Sequence, residues 1–214
     1  MSIRLTRWGH ACIRLDRGTD RLVIDPGVFS DLPGALDGVS AVLITHEHPD
    51  HVATEPVVEA VQGGVQVWAP PSVVDVLVEA GAPADRVHTV RGGDTVTAGG
   101  FDVAVLGEWH ALVHPDVPRV HNVGYLVAGV LHPGDAYIDP AGAHVDVLCA
   151  PLGAPWLKLG EVVDYVRHIQ PARLVVVHDA LLSAIGQGMA IGLLERLGGA
   201  GEPIALDPGE GVDL

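Results

Sequence analysis

The run Ala41-Val42-Leu43-Ile44-Thr45 stops at His46-Glu47-His48-Pro49-Asp50-His51, and this junction constrains the fold more than any other stretch of the chain. The apolar run reads as a buried strand. The six residues after it hold three histidines and a ligand-type aspartate. Imidazole nitrogen and carboxylate oxygen are the ligand set that suits zinc and similar divalent ions. His46 and His48 are two apart, so an extended segment projects both to one side. The chain must bend around Pro49, and a bend can aim Asp50 and His51 at a different point. Four ligands on one loop exceed the needs of a single open catalytic metal. The reading that fits is two metals side by side, His46 and His48 on one, Asp50 and His51 on the other. Glu47 points away from its neighbours in an extended segment and is not expected to act as a general base.

The chain has 214 residues, enough for a large core, and one domain over 1–214 is the expectation. Apolar residues make up 48% and charged residues 18%, a globular composition. The net charge of −15 disfavours non-specific nucleic-acid binding, which needs Lys and Arg against phosphates. A small molecule is the expected partner, with no nucleic acid and no membrane; a homo-oligomer is left open. Cys12 and Cys149 lie far apart in apolar segments and read as buried free thiols. No apolar run approaches the length of a membrane span, and Met1 to Leu15 lacks the apolar core of a signal peptide. These features lead us to expect a cytoplasmic protein.

Short β-type runs open the chain at 3–6, 12–15 and 21–24, the first two with alternating polarity. A helix is expected from Thr54 to Val61 with Thr54 as N-cap, then a strand at 65–68. Ser72 would cap a helix over 73–79. Strands follow at 87–90, 95–97 and 101–106, and a hairpin joins 122–127 to 130–131 around Ala128-Gly129. Further elements are a strand at 145–149, a helix from about Leu159 to His168, and an apolar strand at 174–177. A last helix, from about Ala180 to Leu197, carries Leu181, Leu182, Ile185, Met189, Leu193, Leu194 and Leu197 at helical spacing. Strands followed by strands alternating with helices, in two similar halves, suggest two packed sheets with helices outside.

A dinuclear site needs more ligands, and these are best held where strands end. His110, Asp135 and His178 each follow an apolar strand, the same address as His46. His114 is the alternative to His110, which keeps the strand-end position better. The H-x-H-x-D-H loop, Gly134-Asp135 after His132-Pro133, and Val177-His178-Asp179 together resemble the metallo-β-lactamase fold superfamily of hydrolases. The early Gly9-His10-Ala11, the compact length and Pro151-Leu152-Gly153 are most similar to its ascorbate-phosphate-lactonase-like branch. This resemblance implies an α/β fold: an αββα sandwich of two mixed sheets packed face to face, with helices outside. It implies that His110 completes the first metal, Asp135 bridges both, and His178 completes the second. It also implies that Asp25 supports the metal loop by hydrogen bonding and that His10 lies near the metals, although a purely structural His10 fits the sequence equally well. No role is assigned to His114, His121 or His132 beyond proximity to the site segments.

The expected function is hydrolysis of a small ester, lactone or phosphodiester by a hydroxide shared between two divalent ions, zinc first, with manganese, iron or nickel as alternatives. Asp50 would be both ligand and catalytic carboxylate. Two other readings stand beside this one: an RNA-processing nuclease of the same fold, and a non-catalytic metal-binding or sensing module. The chain carries no H-E-x-x-H, G-x-S-x-G or P-loop sequence, so zinc-peptidase, serine-esterase and NTPase chemistries are not indicated.

Overall fold

A computed structural model describes residues 2–199, 201 and 203–214. The first sheet begins as an antiparallel meander of β1 (Arg4–Gly9), β2 (Cys12–Arg17) and β3 (Asp20–Ile24). It continues through parallel β4 (Ala41–Leu43), β5 (Gln66–Ala69) and β6 (Val87–Thr89). Helices α1 (Leu32–Leu36), α2 (Thr54–Gln62) and α3 (Pro71–Glu79) fall within its connections. The second sheet repeats the plan. Its antiparallel part is β7 (Thr95–Ala98), β8 (Phe101–Leu106), β9 (Gly124–Val127) and β10 (Val130–His132). Its parallel part is β11 (Val147–Pro151), β12 (Arg173–Val177) and β13 (Pro203–Ile204), with α4 (Leu159–Ile169) and α5 (Ala184–Leu197) as crossovers. A final strand, β14 (Gly211–Asp213), returns to pair with β1. Among the described residues each sheet therefore has seven strands of mixed direction.

Three apolar layers hold the four-layer stack together. The central layer packs Leu5, Leu15 and Leu43 of the first sheet against Val103, Tyr125 and Cys149 of the second. A second layer seals the first sheet under Val57, Val61, Val73 and Leu77 of α2 and α3. A third seals the second sheet under Val162, Val166 and Leu194 of α4 and α5. Strands β11 and β12 are covered on both faces, which is why Leu174 to Val177 is apolar at every position.

Several boundaries differ from the sequence expectation. Strand β4 ends at Leu43, yet Ile44 and Thr45 stay buried because Ile44 N–H still reaches the Trp68 carbonyl (3.0 Å). Thr54 is the first helical residue, after Ala53, rather than a cap. Ser72 lies inside α3, and its hydroxyl donates to Glu47. Helix α5 begins at Ala184 with Ser183 as its cap, Ser183 Oγ accepting from Gly186 N–H (3.2 Å). The apolar stripe read in this helix is only partly a core face. Ala190 and Leu194 are buried, but Leu181, Ile185 and Met189 are 60%, 78% and 71% exposed. Helix α1 and strands β13 and β14 had no counterpart in the pattern; all three are five residues or shorter. Among the described residues no helix is long and apolar enough to cross a membrane.

Candidate metal centre

The ends of the parallel strands meet at one edge of the sandwich. Just beyond β4, His46 and His51 are fully buried, while His48 and Asp50 are partly exposed. His110, beyond β8, Asp135, beyond β10, and His178, beyond β12, are all buried beside them. The donor atoms fall into overlapping groups within 4.8 Å: His46, His48 and His110; His10, Asp50, His51 and His178; and His46, His51 and Asp135. Asp135 spans the halves. Its Oδ1 lies 3.1 Å from His51 Nε2 and 3.2 Å from His178 Nε2, and its Oδ2 lies 3.4 Å from His110 Nε2.

Four of the five imidazoles are held from behind by their other nitrogen; His48, whose Nδ1 lies 3.0 Å from His46 Nε2, is the exception. His51 Nδ1–H donates to Asp25 Oδ2 (2.7 Å), His178 Nδ1–H to the Gly153 carbonyl (2.7 Å), and His110 Nδ1–H to the Ala111 carbonyl (2.6 Å). Thr45 Oγ1 donates to Asp25 Oδ2 (2.7 Å) and so accepts from His46 Nδ1–H (3.0 Å). These tautomers, assigned from the bonding pattern, leave the Nε2 lone pairs facing inward. The role implied for Asp25 is thus visible: Thr45 N–H also donates to its Oδ1 (2.8 Å). The turn carrying Asp25 approaches the metal loop so closely that a Cβ on Gly27 would stand 1.9 Å from the Asp50 carbonyl oxygen. Asp25, His10 and His178 all have positive φ, backbone strain that the surrounding packing sustains.

Four buried atoms face the middle without a hydrogen-bond partner: Nε2 of His51, His110 and His178, and Oδ1 of Asp135. Their mutual distances are those of ion pairs, but no hydrogen bond joins them. Leaving buried polar atoms unmatched costs about 1–3 kcal/mol each, and divalent cations would satisfy all four together. The donor set fits such ions.

The titration of these groups follows the same geometry. Burial, with His51 close by, holds His46 well below the usual histidine range, and burial likewise lowers His48. Burial also pushes His51 down, but Asp135 and Asp25 overcome it and hold its imidazolium well above that range. Against burial, Asp135 and Asp50 raise His178 to about 9. Burial would raise both carboxylates; the hydrogen bond from His10 and the nearby His178 hold Asp50 low, and His51, with His110, holds Asp135 low. Both aspartates are therefore anionic and ready to ligate.

The structure separates the remaining histidines. His10 belongs to the site: its Nδ1 accepts from Ala180 N–H (3.2 Å), which leaves Nε2–H to face Asp50 Oδ2 (3.2 Å). Its neighbour across that contact, Asp179, is bound by Arg7 and by Gln187 Nε2 (2.6 Å), and this buried network fixes the turn after His178. His114 is exposed and pairs with Asp116, so the geometry gathers His110 and not His114. His121 stacks on Trp109 (4.3 Å) away from the cluster. His132 is buried beneath it, donating from Nε2 to the Ala11 carbonyl (2.8 Å). Trp156 was not singled out in the sequence; its Nε1–H donates to Asp135 Oδ2 (2.8 Å), and a lone Trp in a loop carries no advance signal of that role.

Residues 4–178 match the beta-lactamase superfamily domain. The chain belongs to that family. Protein Rv0786c of Mycobacterium tuberculosis is 37% identical over 203 residues, covering 91% of this chain and 92% of its own. A UPF0173 metal-dependent hydrolase of Mesorhizobium japonicum is 29% identical over 115 residues, covering 51% of this chain and 48% of its own. Among solved structures, Igni18, a metallo hydrolase of Ignicoccus hospitalis, superposes with a TM-score of 0.77 at 18% identity, over 100% of this chain and 99% of that one. The two mixed sheets and outer helices are the fold expected of a metallo-β-lactamase superfamily member, and the chain stands among metal-dependent hydrolases of that superfamily.

Proposed function

We propose that this family member hydrolyses a small ester, lactone or phosphodiester with two divalent cations, zinc foremost, held by His46, His48, Asp50, His51, His110, Asp135 and His178. The observation that carries this reading is the set of four partnerless buried donor atoms facing one space. His46, His48 and His110 would form one half, and Asp50, His51 and His178 the other, with Asp135 between them. When bound, such cations lower the pKa of water toward neutrality and polarise the substrate oxygen.

The chain's own residues do the rest. His10 and His178 fix the Asp50 carboxylate, which is 24% exposed and stands at the solvent side of the cluster with Oδ2 turned toward both rings. A carboxylate held so far toward its anionic form is a poor resting place for a proton. Its part is to orient the attacking water and relay a proton to the leaving oxygen as the carbon–oxygen or phosphorus–oxygen bond breaks. The buried side chains around Asp135 keep bulk water from its other faces, with Trp156 fixing one oxygen.

Metal analysis of protein purified without chelator, combined with a panel of small esters, lactones and diesters, tests this reading. Two equivalents of metal and chelator-sensitive turnover are expected. Saturation at one equivalent would remove the dinuclear centre from the proposal. Full loading with turnover of none of these substrates would remove the small ester, lactone and diester classes from the proposal.

A further inference from the structure

Among the described residues, half of the large apolar side chains that are exposed lie on three segments beside the candidate centre. The first carries Val28 and Phe29, each 51% exposed. Val28 N–H donates to the Pro49 carbonyl (2.9 Å), and the Phe29 ring lies 5.4 Å from that of His10. The second is the 111–120 loop, where Leu112, Val113 and Val117 are 55%, 40% and 47% exposed. These three line a small cavity together with His48 and His110. The third carries Leu181, next to the Ala180 amide that holds His10. Apolar surface gathered in this way marks a binding site more often than chance exposure, and small-molecule sites are apolar walls around a few polar groups.

Charge narrows the ligand. Over 27–31, 111–120 and 179–186 the only Lys or Arg is Arg119. That single guanidinium is partly engaged: its Nε donates to the His110 carbonyl (2.5 Å), and it lies 5.9 Å from the Trp109 ring. Sites that recognise phosphate anions present free arginine or lysine donors. We infer that the substrate is an uncharged ester or lactone bearing an apolar chain, and that the chain lies on Leu112, Val113 and Val117 against His48 and His110. This inference rests on the hydrolase reading above and selects among its substrate classes.

The test uses the metal-loaded full chain with p-nitrophenyl acetate, butyrate, hexanoate and octanoate, and with bis-p-nitrophenyl phosphate. Burying a methylene contributes up to about fourfold in kcat/KM, so the octanoate-to-acetate ratio should reach at least about tenfold. Leu112→Asp and, separately, Val117→Ser should collapse that ratio at unchanged metal content. Val76→Ser, an exposed apolar position on α3, should leave it intact. Calorimetry with acetohydroxamate and octanohydroxamate reads the same preference without turnover. A flat ester series, or a preference for the diester, overturns the inference while leaving the hydrolase in place. Tighter octanohydroxamate binding without ester turnover overturns the ester as substrate and keeps the apolar site. If Leu112→Asp splits a dimer and the series is unchanged, the apolar rim is a contact between copies, and the inference falls.

Discussion

The two sheets share one plan and deliver different chemistry from equivalent places. In each, an antiparallel meander passes into three parallel crossovers, so β3 corresponds to β10, β4 to β11 and β5 to β12. Both β3 and β10 are followed by an aspartate, Asp25 and Asp135. The His51 imidazole lies between them, with Nδ1 2.7 Å from Asp25 and Nε2 3.1 Å from Asp135. One carboxylate holds the ring from behind, and the other faces the candidate metals. After β4 the chain supplies four candidate ligands; after its counterpart β11 it supplies support instead, the Gly153 carbonyl that holds His178 and the Trp156 Nε1–H that donates to Asp135. A duplicated scaffold can thus assign ligation to one copy of a position and support to the other.

The largest expected effect breaks this comparison at its pivot. Asp135→Ala should remove an atom from both halves of the centre, so bound metal should fall below one equivalent and turnover by more than about a hundredfold, beyond the usual loss for a supporting residue. Asp25→Asn should keep two equivalents and weaken metal affinity by roughly 10–100-fold, because only the orientation of His51 suffers. Elemental analysis and competition with a chelator distinguish the two outcomes. Equal metal loss from both variants would show that Asp25 and Asp135 are not divided into support and ligand. Circular dichroism should show both folded, since the three apolar layers lie away from these side chains.

The same asymmetry decided what could be read in the sequence. The loop after β4 is legible because its candidate ligands are contiguous and their spacing alone states a geometry. His110, Asp135 and His178 are separated by whole strands, and only a shared strand-end address and a family resemblance link them. The choice of His110 over His114 followed from that address, and the structure places His110 in the cluster. The part played by Trp156 was illegible because it depends on a tertiary contact across 21 residues. The exposed face of α5 was illegible for a related reason. Helical spacing shows that Ile185 and Met189 share a stripe with Leu193, but not where the supporting sheet ends beneath it. The short strands β13 and β14 form by pairing with β12 and β1, partners distant in sequence, and have too few residues for a period of their own.

A smaller effect sharpens the contrast between the two sides of His51. In the metal-free protein, His178 titrates at about 9, raised by Asp135 and Asp50, and His51 is raised by Asp135 and Asp25. A histidine with a raised folded pKa contributes stability that is fully present below its unfolded value of about 6.5 and is lost as pH rises through the folded value. The lowered carboxylates contribute in the opposite sense, and their contribution is lost only in acid. Between pH 7 and 9.5 the metal-free Tm should therefore fall. Cation binding must displace the same protons, so metal uptake should release protons near neutrality and strengthen over that window. The gap in Tm between loaded and metal-free protein should widen with pH. A gap that narrows would show that these imidazoles are not the groups displaced.

The smallest expected effect tests the boundary of the site within the 111–120 loop. His114 is four residues from His110, has the same ligand chemistry, and differs only in where the backbone leaves it. His110 N–H bonds to the Val120 carbonyl (3.1 Å) and Ala111 N–H to the Asp135 carbonyl (2.7 Å), so this short stretch is tied to the centre. By His114 the loop has turned outward, and its ring receives only the Asp116 N–H (3.1 Å) in solvent. An exposed pair of this kind contributes little to stability. His114→Ala should therefore retain two equivalents of metal and turnover within about twofold of the parent, since surface changes away from such features stay within about 0.5 kcal/mol. His110→Ala, in contrast, should lose metal. If His114→Ala lost metal and His110→Ala kept it, the loop would have to swing by a full turn on metal binding, and the candidate ligand set of the second sheet would have to be redrawn around His114.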